Sequence, residues 1–328
     1  MTSVDVAVPN YNYGRYLKAC VESILAQEAV TVRVLIIDNA STDDSPDIAR
    51  SLAKDPRVEL VLRDQNLGTH ASFNKGIDWA EADYFLLMFS DDFLVPGALK
   101  RATDIMQSNS SIAFTYGRDV PISGNAPIPS IRVQPDPAPF HLHEGHDFIK
   151  RFCRTGVFQI PGPSIVVRTS VQKRVGHYRT ALPHSDDYEV WLRLAMHGKV
   201  AELACIQAGI RWHDNNRSAE LKAHQAQHIL HTAAAANSFF DHEGSQMQES
   251  RALQRIARRG LAGRAYWSGM SHLMRLDREA VDLFMLAFKL SPISALIPPC
   301  GYLVNRPDTL ARIRAISGLS SILSKRHA

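Results

Sequence analysis

At 328 residues, with 45% hydrophobic and 21% charged side chains, the chain can bury a sizeable core and reads as one large domain plus a smaller one. The four cysteines, Cys20, Cys153, Cys205 and Cys300, show no C-x-x-C spacing, which argues against a zinc ribbon or disulfide framework and fits a reducing compartment. The net charge of +4 hides an asymmetry: residues 251–328 carry 13 Lys and Arg against 4 Asp and Glu, and residues 1–250 carry 24 against 29.

The basic C-terminal region predicts an anionic partner, either a membrane surface or a polyanionic acceptor, although a solvated helical face reads equally well. No nucleic-acid motif or basic–aromatic patch accompanies the charge, so nucleic acid is not expected as a partner. Met1-Thr2-Ser3-Val4-Asp5 runs straight into a strand-like segment without the basic and apolar regions of a leader. No apolar stretch approaches the roughly 20 residues of a membrane helix. The sequence therefore predicts a cytoplasmic protein, with peripheral contact at the inner face of the membrane as the role open to its basic region.

The first half alternates strand and helix. Val4–Val8 reads as a strand, Gly14–Gln27 as a helix, and Val32–Ile37 as a second strand ending at Asp38. A helix starts near Asp43, Val58–Leu62 is a third strand, Thr69–Ala80 a helix and Tyr84–Phe89 a fourth strand. This order predicts an α/β fold: a mainly parallel, Rossmann-like sheet flanked by helices on both faces. Residues 119–143, with six prolines and few large apolar residues, read as a long irregular loop. A helix near Gly145–Cys153, a turn at Pro161-Gly162-Pro163, a strand at Ser164–Val167 and a helix at Asp186–His197 follow. Strands near Val200–Ile206 and Gly209–His213 complete a domain over residues 1–217. Residues 218–328 then read as an all-helical, basic extension. Within it Ala262–Leu290 has the small-residue pattern of one tetratricopeptide-type hairpin, which must pack against neighbours.

The run Tyr84–Phe89 stops at Ser90-Asp91-Asp92. An apolar run without helical period is a strand buried on both faces, and the carboxyl end of such a strand is where an open α/β sheet places its ligand crevice. Adjacent carboxylates repel unless a cation compensates, and an oxygen-ligand site with few protein contacts suits Mn2+ or Mg2+ with substrate phosphates completing the shell. Three further polar clusters open onto the same edge: Pro9-Asn10-Tyr11-Asn12-Tyr13, Asp38-Asn39-Ala40-Ser41-Thr42-Asp43, and Asn66-Leu67-Gly68 leading to Asn74-Lys75-Gly76. A carboxylate at the second strand end, Asp38, can accept hydrogen bonds from a base or ribose. Neither G-x-G-x-x-G nor G-x-x-x-x-G-K-[ST] occurs, so a bound nucleotide would rely on a metal at Asp91-Asp92 for its phosphates.

These clusters, with Val21–Gln27, Val175-Gly176-His177-Tyr178, Asp186–Arg193 and Arg211-Trp212-His213, resemble in order the signatures of family 2 glycosyltransferases over about residues 3–218. The resemblance implies a GT-A fold, a nucleotide-diphosphate sugar donor, a divalent metal and inversion at the anomeric carbon. It implies donor contacts at Pro9, Tyr11, Asp38, Asn66, Asn74 and Asp91. Metal ligation falls to Asp92, Asp91 and His213, with Asp92 the direct ligand, and the general base to Asp187. Two departures stand out. Phe89 replaces an Asp common in relatives, which leaves the metal site one carboxylate leaner, and Phe73 replaces an Arg often found before the Asn.

The acceptor implied is a glycan or a lipid-linked hydroxyl, with a UDP- or dTDP-linked donor, in surface polysaccharide or glycoconjugate synthesis. The alternative is a non-catalytic glycan-binding or scaffold protein on the same fold; retention of Asp38, Asp91, Asp92 and Asp187 together speaks against it. A nucleotidyltransferase would need a glycine-rich basic loop after the first strand. Two histidine groups, His141, His143 and His146 and then His224, His228 and His231, lack companion ligands at zinc spacing and read as surface or acceptor contacts. Trp191 and Leu194 read as core.

Overall fold

Strand β1 (Ser3–Asn10) lies inside a nine-stranded sheet ordered β3-β2-β1-β4-β8-β6-β9-β5, with β7 also on β9. The computed structural model describes residues 2–158, 160–213, 216 and 224–304. Val4, Val6, Ala7 and Val8 of β1 are all fully buried, as a strand covered on both faces requires. On one side β1 pairs in parallel with β2 (Thr31–Asp38), in a register running from Ser3 opposite Thr31 to Asn10 opposite Asp38. On the other it pairs in parallel with β4 (Tyr84–Leu87), and β3 (Val58–Leu62) extends the sheet beyond β2. The remaining strands are β5 (Phe93–Leu94), β6 (Ile112–Ser123), β7 (Phe140–His143), β8 (Val166–Arg168) and β9 (Lys199–Trp212). The long ladders are parallel, whereas the antiparallel pairings are short.

The crossover helices are α1 (Gly14–Leu25), α2 (Ser45–Leu52), α3 (Thr69–Trp79) and α4 (Ala98–Ser108). Later come α5 (Gly145–Thr155), α6 (Thr169–Val175) and α7 (Asp186–Ala195). Helix α3 approaches β1 so closely that a Cβ on Gly76 would lie 2.4 Å from the Ala7 Cβ. The glycine of the Asn74-Lys75-Gly76 cluster is therefore a packing requirement. One charged side chain is sunk in β1. Burial pushes the Asp5 carboxyl up, but the bidentate Arg33 guanidinium (2.9 and 2.8 Å) and the backbone N–H groups of Glu81 and Ala82 outweigh it and hold the group below its usual value.

The structure corrects three sequence expectations. Residues 119–123 and 140–143 belong to β6 and β7, so the irregular segment is shorter than 119–143. The predicted strands at 200–206 and 209–213 are one strand, β9. Gly209, read as the start of the second, lies inside the strand and is needed for a close approach: a Cβ there would lie 2.0 Å from the Phe93 ring on the paired strand. The fourth strand ends at Leu87, and only the Met88 N–H continues its ladder, donating to the Ala7 carbonyl.

Tertiary contacts divide the chain into two compact units. The first comprises Met1–Phe148, Gln159–Ala181 and Val190–Asn216 and contains the whole sheet. The second comprises Ile149–Phe158, Leu182–Glu189 and the chain from Arg217. Its described helices are α8 (Gln225–Asp241), α9 (Ser250–Met274), α10 (Glu279–Leu290) and α11 (Cys300–Val304). The expected helical hairpin is α9 and α10. Its small residues do what that pattern requires: Gly269 admits Leu283 and Phe284, while Ala265 and Ala287 are fully buried in a core with Ile229, Leu261 and Leu286. Trp191 and Leu194 are buried, in agreement with the sequence. Among the described residues no helix is long and apolar enough to cross a membrane.

Candidate active site

Three of the four loops at the carboxyl edge of the sheet are knitted together by their own polar side chains. Asp38, 1% exposed, accepts hydrogen bonds from Asn10 Nδ2 (2.9 Å), the Ser41 N–H (3.0 Å) and Ser41 Oγ (2.6 Å). The Asn12 N–H donates to Ser41 Oγ and the Thr42 N–H to Asn12 Oδ1. Asn12 and Ala40 both sit in the left-handed region (φ 58° and 64°), strain that these bonds hold in place. Asn39 extends the network: its amide donates to Asn66 Oδ1 (2.6 Å) and the Gly68 carbonyl, while its carbonyl accepts from the Leu67 N–H and from Arg63. Pro9 is half-buried within β1, and Tyr11 is 44% exposed above the loop.

The fourth loop carries the paired carboxylates. The Asp92 N–H closes a turn onto the Phe89 carbonyl, and β5 then pairs antiparallel with β9, so the register brings Asp92 beside Arg211. Asp92 Oδ1 accepts the Arg211 backbone N–H at 2.9 Å. Asp91 Oδ2 accepts from His213 Nε2 at 3.2 Å and from the Asn216 amide at 3.1 Å. His213 is clamped by aromatic rings from the start of α1, stacked on Tyr16 and edge-on to Tyr13, each with centroids 5.2 Å apart. Its Nδ1 is buried without a hydrogen-bond partner.

Electrostatically the pocket is starved of positive charge. Asp91 and Asp92 are 8% and 5% exposed. Burial pushes the Asp91 carboxyl up; burial and then the neighbouring Asp91 charge push Asp92 well up. The Cys20 thiol is pushed well up by burial and by the same two carboxylates, and the Tyr13 phenol is pushed up to about 12 by burial and the Asp91 charge. The nearby Arg211 guanidinium helps little: it donates to the Gly124 and Ala126 carbonyls and stacks over Tyr16 at 4.8 Å. The Asp91 and Asp92 carboxyls, the Cys20 thiol and the Tyr13 phenol are thus biased toward their neutral forms, which is the field a divalent cation would relieve. The donors fit such an ion: two adjacent carboxylates, with a buried imidazole nitrogen alongside. Asp91, Asp92 and His213 do not bring three donor atoms within 4.8 Å of one another; among the described residues only His272, Asp277 and Glu279 do so. A cation bound there would take most of its coordination shell from oxygens outside these three residues.

Two predicted residues stand differently. Asn74 uses both ends of its amide on the Tyr178 backbone, donating to the carbonyl at 3.1 Å and accepting the N–H at 2.8 Å. It braces α3 to the segment after α6. Asp187 belongs to the second unit, in the acidic first turn of α7. It is half-buried, and its Oδ1 accepts the Tyr188 N–H at 2.9 Å. Burial and then the Asp187 charge push the buried Tyr188 phenol up to about 12. Sequence reasoning missed Asn216 and Tyr16 and quoted Tyr13 and Arg211 within motifs without giving them a part in the site. Their contacts join segments about 120 to 200 residues apart, for which a single sequence carries no signal.

The strand order reverses around β1, and the polar loops collect at that switch point, so the architecture is that of a nucleotide-binding α/β domain of the GT-A kind. The family profile described as "Glycosyl transferase family 2" matches residues 5–174, more than half of the chain, and the chain belongs to that family. Among curated relatives, the succinoglycan biosynthesis protein ExoO of Rhizobium meliloti is 37% identical over 98 residues, 30% of this chain and 28% of ExoO. The chain spans less than half the length of such relatives. Among solved structures, Staphylococcus aureus TarS 1-349 in complex with UDP superposes with a TM-score of 0.57 at 14% identity, covering 92% of this chain and 89% of that one. The mannosyltransferase PcManGT of Pyrobaculum calidifontis, with GDP-Man and Mn2+, gives 0.53 at 15% identity, covering 90% and 87%. Both share the fold.

Proposed function

We propose that this chain is an inverting glycosyltransferase that moves a sugar from a nucleotide-diphosphate donor, UDP- or dTDP-linked, to a hydroxyl of a glycan or lipid-linked acceptor in surface polysaccharide or glycoconjugate synthesis. The observation that carries the reading is the buried Asp91-Asp92 pair, set at the switch-point edge in a field that favours a cation. UDP in the TarS structure, and GDP-Man with Mn2+ in PcManGT, support a nucleotide sugar and a divalent ion as its ligands.

In this reading Tyr11 offers its exposed ring to the base, and Asp38 with its loop partners fixes the backbone around it. Asn66 shapes the same wall through Asn39, while Asn74 acts by bracing the segment at Tyr178. Asp92, Asp91 and His213 hold Mn2+ or Mg2+, which when bound neutralises charge on the departing diphosphate. His213 presents its buried Nδ1 edge from the aromatic clamp. Asp187 accepts the proton of the acceptor hydroxyl as that oxygen attacks from the face opposite the leaving group. A positioned base typically contributes about 10²–10⁴-fold.

The test is a panel of nucleotide sugars incubated with the chain and Mn2+, with release of the nucleotide diphosphate as readout. Proton NMR of the active pair should then show a product of opposite anomeric configuration. Retention would overturn the inverting mechanism. Asp187→Asn should retain donor binding and lose transfer; turnover near that of the wild type removes Asp187 from the mechanism. No metal-dependent donor response at all would favour a scaffold.

A further inference from the structure

The helical unit holds a cavity of its own, bounded by α8, α9 and α10, with a volume of about 380 Å³. That lies in the ~300–1,000 Å³ range of small-molecule sites. Its floor is apolar: Ala233, Ala236, Ala257, Leu261 and Leu286 are all buried. A close-packed helical core would carry larger side chains at facing positions, and the run of alanines leaves the space open. The rim is cationic. Arg258 and Lys289, both exposed, come from α9 and α10, and among the described residues neither has an ion pair or a hydrogen bond from its side chain. Among the described residues no acidic side chain lines the cavity.

This combination selects the ligand. A free anion would gain nothing from the alanine and leucine floor, and a purely apolar partner would gain nothing from two unpaired cations. A nucleotide would need a stacking surface, and among the described residues no aromatic side chain lines the cavity. Helix α10 also presents Val281 (61% exposed) and Met285 (58%) at four-residue spacing ahead of Lys289, an apolar stripe that ends on the cation. Such a stripe with basic flanks suits the boundary between lipid headgroups and acyl chains. We propose that the cavity binds one alkyl chain of a phosphate-headed membrane lipid, with Arg258 and Lys289 holding the headgroup.

The probe is decyl phosphate, titrated calorimetrically into the full chain below its micellar concentration. Saturable binding of one molecule per chain is expected. Octyl phosphate should bind about fifteenfold more weakly, since each buried methylene contributes roughly a fourfold factor. Inorganic phosphate should not compete. Arg258→Gln with Lys289→Gln should weaken decyl phosphate at least tenfold, and Ala257→Leu, which fills the floor, should do the same. Ala236→Leu serves if Ala257→Leu melts early. Vesicles containing phosphatidylglycerol should carry the wild type in flotation, those of phosphatidylcholine alone should not, and the double variant should stay behind. Absence of saturable binding, equal affinity for inorganic phosphate, no dependence on chain length, or flotation unchanged in the double variant would each overturn the proposal.

Discussion

Replacing Asp92 with Asn separates function from stability. The asparagine Oδ1 can still accept the Arg211 N–H, the hydrogen bond that Asp92 makes at 2.9 Å, so the substitution removes charge and little else. The charge it removes is buried and faces Asp91, and both facts push the Asp92 carboxyl well above its usual value. A raised folded-state carboxyl means that the folded chain binds the proton more tightly than the unfolded one. Metal-free stability is then highest below the unfolded value near 3.8 and falls as pH rises toward the folded one. A buried polar group without adequate partners costs about 1–3 kcal/mol. Removing that cost should raise the melting temperature by roughly 2–12 °C at pH 8, at about 2–4 °C per kcal/mol for a domain of this size. The gain should shrink at pH 4–5. Differential scanning calorimetry in EDTA reads it directly, and the same variant should lose stabilisation by Mn2+ with UDP or dTDP. A variant that melts below the wild type at pH 8, or a gap independent of pH, refutes the reasoning.

Other outcomes follow from packing and hydrogen bonding. Gly76→Ala forces a methyl against the Ala7 Cβ and should cost about 1–3 kcal/mol of stability by overpacking, seen in chemical denaturation, with nucleotide affinity retained if the fold survives. Asn74→Ala strips both hydrogen bonds from the Tyr178 backbone and should destabilise by about 1–3 kcal/mol; a large loss of UDP affinity without loss of stability would instead make it a direct ligand contact. His213→Ala should weaken Mn2+ binding measured with the nucleotide present, while leaving the circular dichroism spectrum intact.

Much of the first unit was legible because the signals were local. The Tyr84–Phe89 run, the Val58–Leu62 strand and the helix from Thr69 are each set by periodicity and turn residues within a few positions, and their boundaries differ from the structure by two residues or fewer. Two misreadings share a cause, pairing with distant strands. The residues between Ile206 and Gly209 stay in β9 through its partners β5 and β6, and the proline at 121 did not stop β6 because its partner strand runs past it in parallel. The carboxylates could be singled out from sequence, but their surroundings could not. Asp91 meets His213 and Asn216, and Asp92 meets Arg211, through a β5–β9 pairing that spans more than 100 residues of chain. Asn74 is a second case: both ends of its amide meet backbone 104 positions away, a contact with no local signal.

The central claim is that Asp91 and Asp92 hold a divalent cation that binds together with the nucleotide. Free Mn2+ measured by electron paramagnetic resonance, during titration of the chain with and without UDP or dTDP, tests it most directly. Mn2+ alone should bind weakly, bind at least tenfold more tightly once the nucleotide is present, and raise nucleotide affinity by the same factor. Both effects should vanish in Asp92→Asn. Mn2+ affinity that neither nucleotide changes, or coupling that survives Asp92→Asn, would contradict it.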